Sequence, residues 1–354
     1  MSDPLSCVEV VLPEGVDDPR RPSGGNVYDR RVCRGLAEAG WTVRERSVAG
    51  EWPWADAEAR RTLRDQLGSA ADGATVLVDG LLASAAPEVV VPETTRLRLC
   101  VLLHLPLGAA VDDESVRAGE RAVLLAAAGV ITTSAWSRCW LLEHYGTAAS
   151  RVHVAEPGVD PAPLTPGTSA GSRLLCVAAV TPGKGHDVLL SALSQVDDLS
   201  WHCVCVGSLE RDPAHVERLR AQAEDGGIAG RVDLVGPRTG ESLDASYAGA
   251  DLLVLPSRFE SYGMVVTEAL ARGVPVLTTV VGGLSATVGR LPDGTRPGLL
   301  VTPDPDALAR AVRRWLCDAD LRSSLRRAAR TRRTTLTGWD VTTDQVARAL
   351  TEVT

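Results

Sequence analysis

Apolar runs and helix-like segments alternate along the whole of this 354-residue chain. The runs are short and rich in Val, Leu and Cys, a composition typical of strands that are buried on both faces of a sheet. They include CVEVVLP (7–13), ATVLVDG (74–80), LRLCVLLHLPL (97–107), RLLCVAAV (173–180), WHCVCVG (201–207) and DLLVLPS (251–257). Between these runs, apolar residues recur at helical spacing. Repeated strand–helix alternation predicts parallel-sheet α/β domains.

One stretch interrupts this alternation. PAPLTPGTSAGS (161–172) is rich in Pro, Gly, Ser and Thr and shows no periodicity, so we interpret it as a linker. The chain length also fits two domains of ordinary size. We therefore predict an N-terminal domain over 1–162 and a C-terminal domain over 163–339, each with a Rossmann-like parallel sheet. In such sheets, ligand-binding loops follow the carboxyl ends of the strands.

Composition and charge narrow the classes of function. The formal net charge of −8 gives no support for a nucleic-acid partner. There is no apolar run of the length that a transmembrane helix needs, and the start, MSDPLSCVEVVLPEG, lacks the features of a signal peptide. We therefore expect a cytoplasmic protein.

An arginine-rich segment near the C-terminus has two interpretations. Residues 308–333 are expected to form a run of amphipathic helix with a basic patch, formed by Arg322, Arg326, Arg327, Arg330, Arg332 and Arg333. We interpret the patch as a solvated helix face, and peripheral contact with acidic lipid or with an acidic acceptor is the alternative.

The eight cysteines are interpreted as buried free thiols in a reducing compartment. Several lie inside strand-like apolar runs, and none forms a Cys-x-x-Cys pair. The single Cys-x-Cys, Cys203 and Cys205, is expected to point its two thiols to opposite faces of a strand.

In each half of the chain, a glycine-containing loop follows the first predicted strand. Ser23-Gly24-Gly25-Asn26 opens the first helix, where backbone amides can approach an anionic ligand closely. This loop lacks the Gly-x-Gly-x-x-Gly of a dinucleotide site, and no Walker motif occurs anywhere in the chain. In the second half, Lys184 stands between Gly183 and Gly185 just before a helix. A lone cation at that position suits a diphosphate, and the scarcity of lysine in this chain favours a specific role.

The stretch SRFESYGMVVTEALARGVPV (257–276) places two carboxylates around a helix start. Glu260 lies in the loop that follows a buried strand, and Glu268 lies about two turns into the helix. The amides of Gly263, Met264 and Val265 are first-turn donors that can hold phosphate oxygens. Because a carboxylate accepts hydrogen bonds from vicinal hydroxyls, one Glu suits a sugar ring and the other a ribose, with the diphosphate between them.

Taken in order, these motifs resemble a GT-B glycosyltransferase of family 4, a retaining family that uses nucleotide sugars. The resemblance rests on SGGN, LLHLP, ITTS, EPGVD, VTPGKGHD and PSRFESYGMVVTEALARGVPVLTTVVGG, and it covers nearly the whole chain. It implies a GT-B fold, in which two Rossmann-like domains face each other across a cleft. It also implies that a helix at about 340–354 packs back on the N-terminal domain.

The resemblance implies a role for each matching residue. His104, Lys184 and Glu260 would be the catalytic group, with His104 near the transferred sugar, Lys184 on the diphosphate and Glu260 on sugar hydroxyls. Residues implied to bind the donor are Gly24, Gly25, Lys184, Arg258, Glu260, Ser261, Tyr262, Gly263, Met264, Val265 and Glu268. Residues implied to bind the acceptor are Asn26, Asp79 and His104. His104 keeps the alternative interpretation of a hydrogen-bonded structural residue.

The implied activity is transfer of a sugar from a nucleotide diphosphate sugar to a hydroxyl-bearing acceptor, with retention, no metal ion and no cofactor. Two departures from the family pattern leave alternatives open. The arginine usual before the lysine is absent, since Ala179 and Gly183 stand there, and Arg258 is a candidate replacement. The family's Gly-Gly-x-x-Glu ends in Ala286. A nucleotide-sugar epimerase of the same fold and a non-catalytic nucleotide-sugar-binding protein are therefore the alternatives.

Overall fold

The computed structural model describes residues 7–353 and divides them into two compact units. The first unit comprises residues 7–16, 25–158 and 339–353, and the second comprises 17–24 and 159–338. Each unit has its own six-stranded sheet, and all recorded strand pairs are parallel. The prediction of two α/β domains with parallel sheets is confirmed.

The first sheet is built from strands of the N-terminal half. They are β1 (Cys7–Pro13), β2 (Thr42–Val48), β3 (Thr75–Asp79), β4 (Arg98–Leu103), β5 (Gly129–Thr132) and β6 (Val152–Val154). Their spatial order is β2-β1-β3-β4-β5-β6. β2 lies on one side of β1, and β3 to β6 follow one another on its other side. The direction in which strands are added therefore reverses between β1 and β3. Loops that follow strands at such a reversal are where open α/β sheets bind ligands.

Helices cover both faces of this sheet. They are α1 (Gly24–Glu38), α2 (Ala57–Gly68), α3 (Gly80–Ala85), α4 (Pro87–Glu93), α5 (Leu107–Ala110), α6 (Glu114–Ala126) and α7 (Ala135–Tyr145). One core cluster lies between the sheet and α2, α3, α4, α6 and α7, and another includes α1. Gly146, with φ +67°, ends α7 in the left-handed conformation that glycine adopts without strain.

The second sheet has a reversal of the same kind. Its strands are β7 (Arg173–Val177), β8 (His202–Val206), β9 (Val232–Leu234), β10 (Leu252–Leu255), β11 (Val276–Thr279) and β12 (Gly298–Val301). Their order is β12-β11-β10-β7-β8-β9, so β7 and β10 are neighbours although far apart in sequence. The loops after β7 and β10 carry Lys184 and Glu260, and the sheet therefore brings these two motifs to one edge.

The helices of the second unit are α8 (His186–Ser194), α9 (Pro213–Asp225), α10 (Gly240–Ala248), α11 (Met264–Ala271), α12 (Leu284–Val288), α13 (Pro305–Cys317) and α14 (Ala319–Arg333). The final helix, α15 (Trp339–Glu352), belongs to the first unit. Its Val346, Ala349 and Leu350 are buried among residues of β1 and α1. The Thr342 hydroxyl also donates to the Glu156 carbonyl at 2.7 Å.

The division falls at different residues from those predicted. The whole stretch 161–172 lies within the second unit, which already begins again at Val159. The Val159 amide donates to the Thr337 carbonyl, and Arg333 donates to the Ala162 carbonyl, so the supposed linker is fastened at its start. Residues 17–24 also group with the second unit, where Arg211 donates to the Arg21 carbonyl at 3.3 Å.

The arginine-rich segment is not one helix with a solvated basic face. Asp318 ends α13 and caps α14, because its carboxylate accepts the Leu321 amide at 2.9 Å. Several of the arginines bind backbone carbonyls or acids of their own unit. Arg322 is buried and donates to the carbonyls of Trp315 and Leu316, and Arg326 pairs with the buried Asp251. Within residues 7–353, no helix combines the length and apolar character needed to cross a membrane.

The cysteine predictions need two corrections. Cys7, Cys139 and Cys317 are exposed, whereas the other five are buried. Cys203 and Cys205 point to the same face of β8, since both belong to one core cluster while Val204 packs against another. Side chains alternate along a strand with a period of two, so residues i and i+2 share a face, and the prediction of opposite faces was wrong.

Candidate functional site

Lys184 and Glu260 meet at the reversal point of the second sheet. The Lys184 Nζ lies 2.6 Å from a carboxylate oxygen of Glu260, and both side chains are partly shielded from solvent. Seventy-six residues separate them in sequence. The loops that follow the adjacent strands β7 and β10 therefore present a cation and an anion side by side.

The backbone around Lys184 is held against the loop after β10. Gly185 has φ +70°, and a Cβ there would lie 2.1 Å from the Pro256 carbonyl oxygen, so only glycine allows this approach. The Arg258 amide donates to the Gly183 carbonyl at 2.9 Å. Lys184 is thus positioned by main-chain contacts rather than by its own side chain alone.

Arg258 is bound to an acid of the same unit. Its guanidinium makes two hydrogen bonds to the Asp187 carboxylate, at 2.7 and 2.6 Å, and a third to the Pro182 carbonyl. The hydrogen bond from Arg258 lowers the pKa of Asp187, so the pair stays ionised at neutral pH. Arg258 therefore joins the two loops, and most of its donors are already occupied.

Gly282 and Gly283 pack against the backbone of the Glu260 loop. The Gly283 amide donates to the Glu260 carbonyl at 3.0 Å. A Cβ on Gly282 would lie 1.8 Å from that same oxygen, and a Cβ on Gly283 would lie 2.0 Å from the Ser261 oxygen. The Thr287 hydroxyl holds the Tyr262 carbonyl at 2.6 Å. In this chain the two glycines support the loop at 260–262 although the acid of the family motif is missing.

Helix α11 begins directly after this loop. Gly263, with φ +86°, is its first flanking residue, followed by Met264 and Val265. The amides of a first helical turn have no carbonyl of their own helix to bind, so they and the helix dipole favour an anion at this end. The backbone amides at the N-terminus of α11 therefore directly follow the loop of Glu260, Ser261 and Tyr262.

Glu268 is held by a residue that the sequence analysis did not single out. The Tyr247 hydroxyl donates to Glu268 at 2.7 Å, and Tyr247 is fully buried. Burial raises the pKa of Glu268, against the opposing effects of Tyr247 and Arg272. The Tyr247 hydroxyl therefore fixes the orientation of the Glu268 carboxylate.

A second cluster lies in the first unit, after β3 and β4. His104 Nε2 lies 2.8 Å from Asp29 and 3.3 Å from Asp79. Burial disfavours the imidazolium, but the carboxylates of Asp29 and Asp79 outweigh it and raise the pKa of His104 to about 10. Burial raises the pKa of Asp29 to about 6, although His104 opposes this. His104 is therefore a cation at neutral pH and donates hydrogen bonds rather than accepting protons.

The residues predicted from the SGGN motif take different positions around this cluster. Gly24 begins α1, and Asn26 lies one turn before Asp29 on that helix. A Cβ on Gly25 would lie 3.2 Å from the His104 ring, so Gly25 packs closely against the imidazole. Asp79 also caps α3 through the Leu81 amide and is only 4% exposed. The structure thus brings Asp79 and His104 together, and their role in binding an acceptor stays a prediction.

Asp29 is the functional candidate that sequence reasoning missed. It lies in α1 on the face that carries Tyr28, Val32 and Leu36, and it is 2% exposed. The sequence could have indicated Asp29, because an acid on the apolar face of an amphipathic helix is expected to be buried and a buried carboxylate needs a partner.

Comparison with known proteins agrees with this architecture. Residues 170–332 match the family model for glycosyl transferases group 1. The D-inositol 3-phosphate glycosyltransferase of Salinispora tropica is 35% identical over 240 residues, which are 60% of this chain and 48% of that protein. The protein of the same name from Jonesia denitrificans is 33% identical over 267 residues, covering 69% of this chain and 62% of that protein. The chain spans about half the length of the first curated relatives it matches.

Solved structures show the same fold over almost the whole chain. Sucrose-phosphate synthase from Thermosynechococcus elongatus superposes with a TM-score of 0.80 at 22% identity, covering 98% of both chains. Anabaena HepE, solved in complex with UDP and glucose, superposes with a TM-score of 0.78 at 17% identity, covering 98% of this chain and 100% of that one. The chain therefore has the fold of GT-B glycosyltransferases, and residues 170–332 are similar to the glycosyl transferases group 1 family.

Proposed function

We propose that this protein is a retaining glycosyltransferase that moves a sugar from a nucleotide diphosphate sugar to a hydroxyl-bearing acceptor. The observation that carries the proposal is the Lys184–Glu260 pair beside the start of α11. It joins a cation and helix-terminal amides, which suit a diphosphate, with a carboxylate, which suits sugar hydroxyls.

Different residues of the second unit bind different parts of the donor. Lys184 and the amides of Gly263, Met264 and Val265 take the diphosphate, Glu260 takes the hydroxyls of the sugar, and Glu268 takes the ribose. Negative charge on the leaving diphosphate grows as the glycosidic bond breaks, so donors that are already in place stabilise the transition state more than the ground state. The ion pair keeps the Lys184 ammonium positioned before the donor arrives.

His104 acts in this proposal as a donor of hydrogen bonds. Its pKa of about 10 means that the imidazolium persists at neutral pH, so it cannot deprotonate an acceptor hydroxyl. It can instead orient an oxygen of a sugar or an acceptor. We propose that the departing phosphate takes the acceptor proton, and that no metal ion is needed, because Lys184 and the α11 amides supply the positive charge.

The names and complexes of similar proteins indicate which substrates to test first. Curated relatives are named D-inositol 3-phosphate glycosyltransferases, and Anabaena HepE was solved with UDP and with UDP-glucose. A thermal-shift comparison of UDP-, GDP-, ADP- and dTDP-sugars would identify the donor, since a ligand of the native state raises its stability. D-inositol 3-phosphate is the first acceptor to supply.

The donor site has a direct chemical test, because Lys184 is the only lysine in the sequence. An acylating reagent labels Lys184 and the terminal amine, and mass spectrometry separates the two products. We expect the identified nucleotide sugar at ten times its Kd to slow labelling of Lys184 by about tenfold, and the nucleoside of that donor without phosphate to protect far less. Unchanged Lys184 labelling in the presence of a donor that raises the Tm would contradict the diphosphate assignment.

A second measurement separates a transferase from the two alternatives. A transferase releases some free sugar from its donor by slow hydrolysis and gives an acceptor product with the donor's anomeric configuration, both visible by NMR. An epimerase converts the donor's sugar instead, and a binding protein returns the donor intact. Loss of both products in Lys184→Ala, with binding of free uridine retained, is the outcome that supports transfer.

A further inference from the structure

A compact group of sulfur and nitrogen atoms lies in the core of the second unit. Cys176 of β7 and Cys205 of β8 are direct partners across the parallel pair, so their thiols share one face of the sheet. His186 begins α8 above them, with Nε2 3.7 Å from the Cys176 sulfur. The candidate ligand atoms of all three residues lie within 4.8 Å of one another. Each residue is 1% exposed or less.

The hydrogen bonding of His186 is incomplete. Its Nδ1 is buried and has no hydrogen-bond partner among residues 7–353, and its Nε2 faces only the weakly polar sulfur of Cys176. A buried polar atom without a partner loses its hydration without compensation, at a cost of about 1–3 kcal/mol. A hydrophobic core alone does not explain why an imidazole occupies this position.

The one measured separation in the group matches that between two ligands of a metal ion. With a zinc–sulfur bond of about 2.3 Å and a zinc–nitrogen bond of about 2.0–2.1 Å, a tetrahedral ion holds its sulfur and nitrogen ligands about 3.6 Å apart. The observed separation of 3.7 Å is close to this value. Cys203 lies two residues before Cys205 on the same face of β8, so a further thiol is present on that face.

We propose that Cys176, His186 and Cys205 bind one thiophilic d10 cation, Zn²⁺ or Cu⁺, inside the second unit. Two thiolates and an imidazole are the ligands that such ions prefer over oxygen-binding cations. Cu⁺ is satisfied by three ligands, whereas Zn²⁺ needs a fourth, for which Cys203 is the neighbouring thiol on the same face of β8. This ion is structural and is distinct from the metal-free transfer chemistry, because it ties β7, β8 and the start of α8 together behind the loop of Lys184.

Because the three metal-binding side chains are buried, the ion has to be supplied while the protein is being produced. An ion reaches these atoms only as the chain folds or opens locally, so the full chain is produced in medium supplemented with Zn²⁺ or with copper and purified under reducing conditions. The parent for the test carries Cys7→Ser, Cys139→Ser and Cys317→Ser, which remove the exposed thiols. Metal content per chain is measured by mass spectrometry after desalting.

We expect about one ion of Zn²⁺ or Cu⁺ per chain in this parent and at least a tenfold lower content after Cys205→Ser, since the ligand set is broken. Cys100→Ser is the matched control, because Cys100 is an equally buried thiol in the first unit. Production with Co²⁺ adds a readout that needs no substitution of a ligand, namely the thiolate-to-cobalt absorption of the parent. Which ion is retained distinguishes a three-ligand Cu⁺ site from a four-ligand Zn²⁺ site.

The proposal is overturned if the parent retains less than about 0.1 equivalent of either ion and shows no thiolate-to-cobalt band. It is also overturned if Cys205→Ser and Cys100→Ser retain the same amount of metal. Should Cys205→Ser fail to fold, the cobalt spectrum of the parent still decides between a bound ion and a group of free thiols.

Discussion

His104 shows how a side chain acquires a property that its residue type does not have in water. An exposed histidine titrates near pH 6.5, but here two buried carboxylates hold its proton to a pKa of about 10. Asp29 contributes most of this effect, and it comes from a helix seventy-five residues earlier in the chain. The cluster therefore behaves as one charged unit rather than as three separate groups.

The raised pKa of His104 makes stability depend on pH in a defined direction. Between its unfolded pKa of about 6.5 and its folded pKa of about 10, the native state holds a proton that the unfolded state has lost. The contribution is therefore complete below pH 6.5 and is lost as the pH rises through 10, with a slope of up to about 1.4 kcal/mol per pH unit. Urea unfolding from pH 6.5 to pH 10 should show this decline.

His104→Gln should remove that part of the decline, whereas His144→Gln, at an exposed histidine of the same unit, should leave it unchanged. The slopes are compared between pH 8 and pH 10, because the pKa of Asp29 is raised only to about 6 and its proton is largely lost from the native state by pH 8. Equal slopes in the wild type and His104→Gln would show that the imidazolium does not stabilise the native state.

At the scale of elements, the loop after β10 depends on the turn that precedes α12. Gly283 has an ordinary φ of −81°, so alanine is allowed there by its backbone conformation. The obstacle is contact, because a Cβ would lie 2.0 Å from the Ser261 carbonyl oxygen. The main chain of Glu260, Ser261 and Tyr262 can therefore take its position only because Gly283 has no side chain.

Gly283→Ala should consequently displace the loop at 260–262, and with it the donor site that we propose there. Overpacking of this kind costs about 1–3 kcal/mol, which corresponds to roughly a 5- to 150-fold loss of affinity if the cost falls on the bound state. Gly230→Ala is the matched control, since its Cβ would meet nothing within 4 Å and its φ is not in the left-handed region. Titration calorimetry with the identified nucleotide sugar measures both variants. Equal affinities would mean that the loop tolerates the added methyl group.

Predictions at this scale succeeded where they depended on local pattern. The strand–loop–helix arrangement around Glu260 and the start of α11 near Gly263 follow from apolar runs and glycine positions. The Arg-rich segment was misjudged because its periodicity continues across Asp318, while the capping bond of that residue starts a new helix. Periodicity also could not show that Arg322 and Arg326 turn inward to carbonyls and to Asp251.

At the scale of the whole molecule, the first unit is completed by the last helix of the chain. Leu350 of α15 is fully buried in the cluster that contains Val10, Leu36 and Ile131. A Cβ on Gly35 of α1 would collide with the Thr343 side chain, so the two helices pack in close contact. The core of the first unit is therefore completed by a helix that follows the second unit in the sequence.

Leu350→Ala should lower the free energy of unfolding of the first unit by about 2–5 kcal/mol, because it removes a buried side chain and leaves a cavity. Hydrogen exchange of β1 and α1 amides reports this unit separately. Val341→Ala, at a 37% exposed position of the same helix, is the control and should change protection little. Equal protection in the two variants would show that α15 does not support the sheet.

The sequence by itself determined the class of architecture, and it predicted which loops carry the chemistry that we propose. Hydrophobic periodicity, glycines and a single lysine are local signals, and parallel sheets present their ligand loops at the strand ends. Only the tertiary structure decided which of these side chains contact one another. The pairing of Lys184 with Glu260, of His104 with Asp29, and of Cys176 with Cys205 and His186 depends on strand order and burial. Strand order arises from long-range packing, which no local pattern specifies.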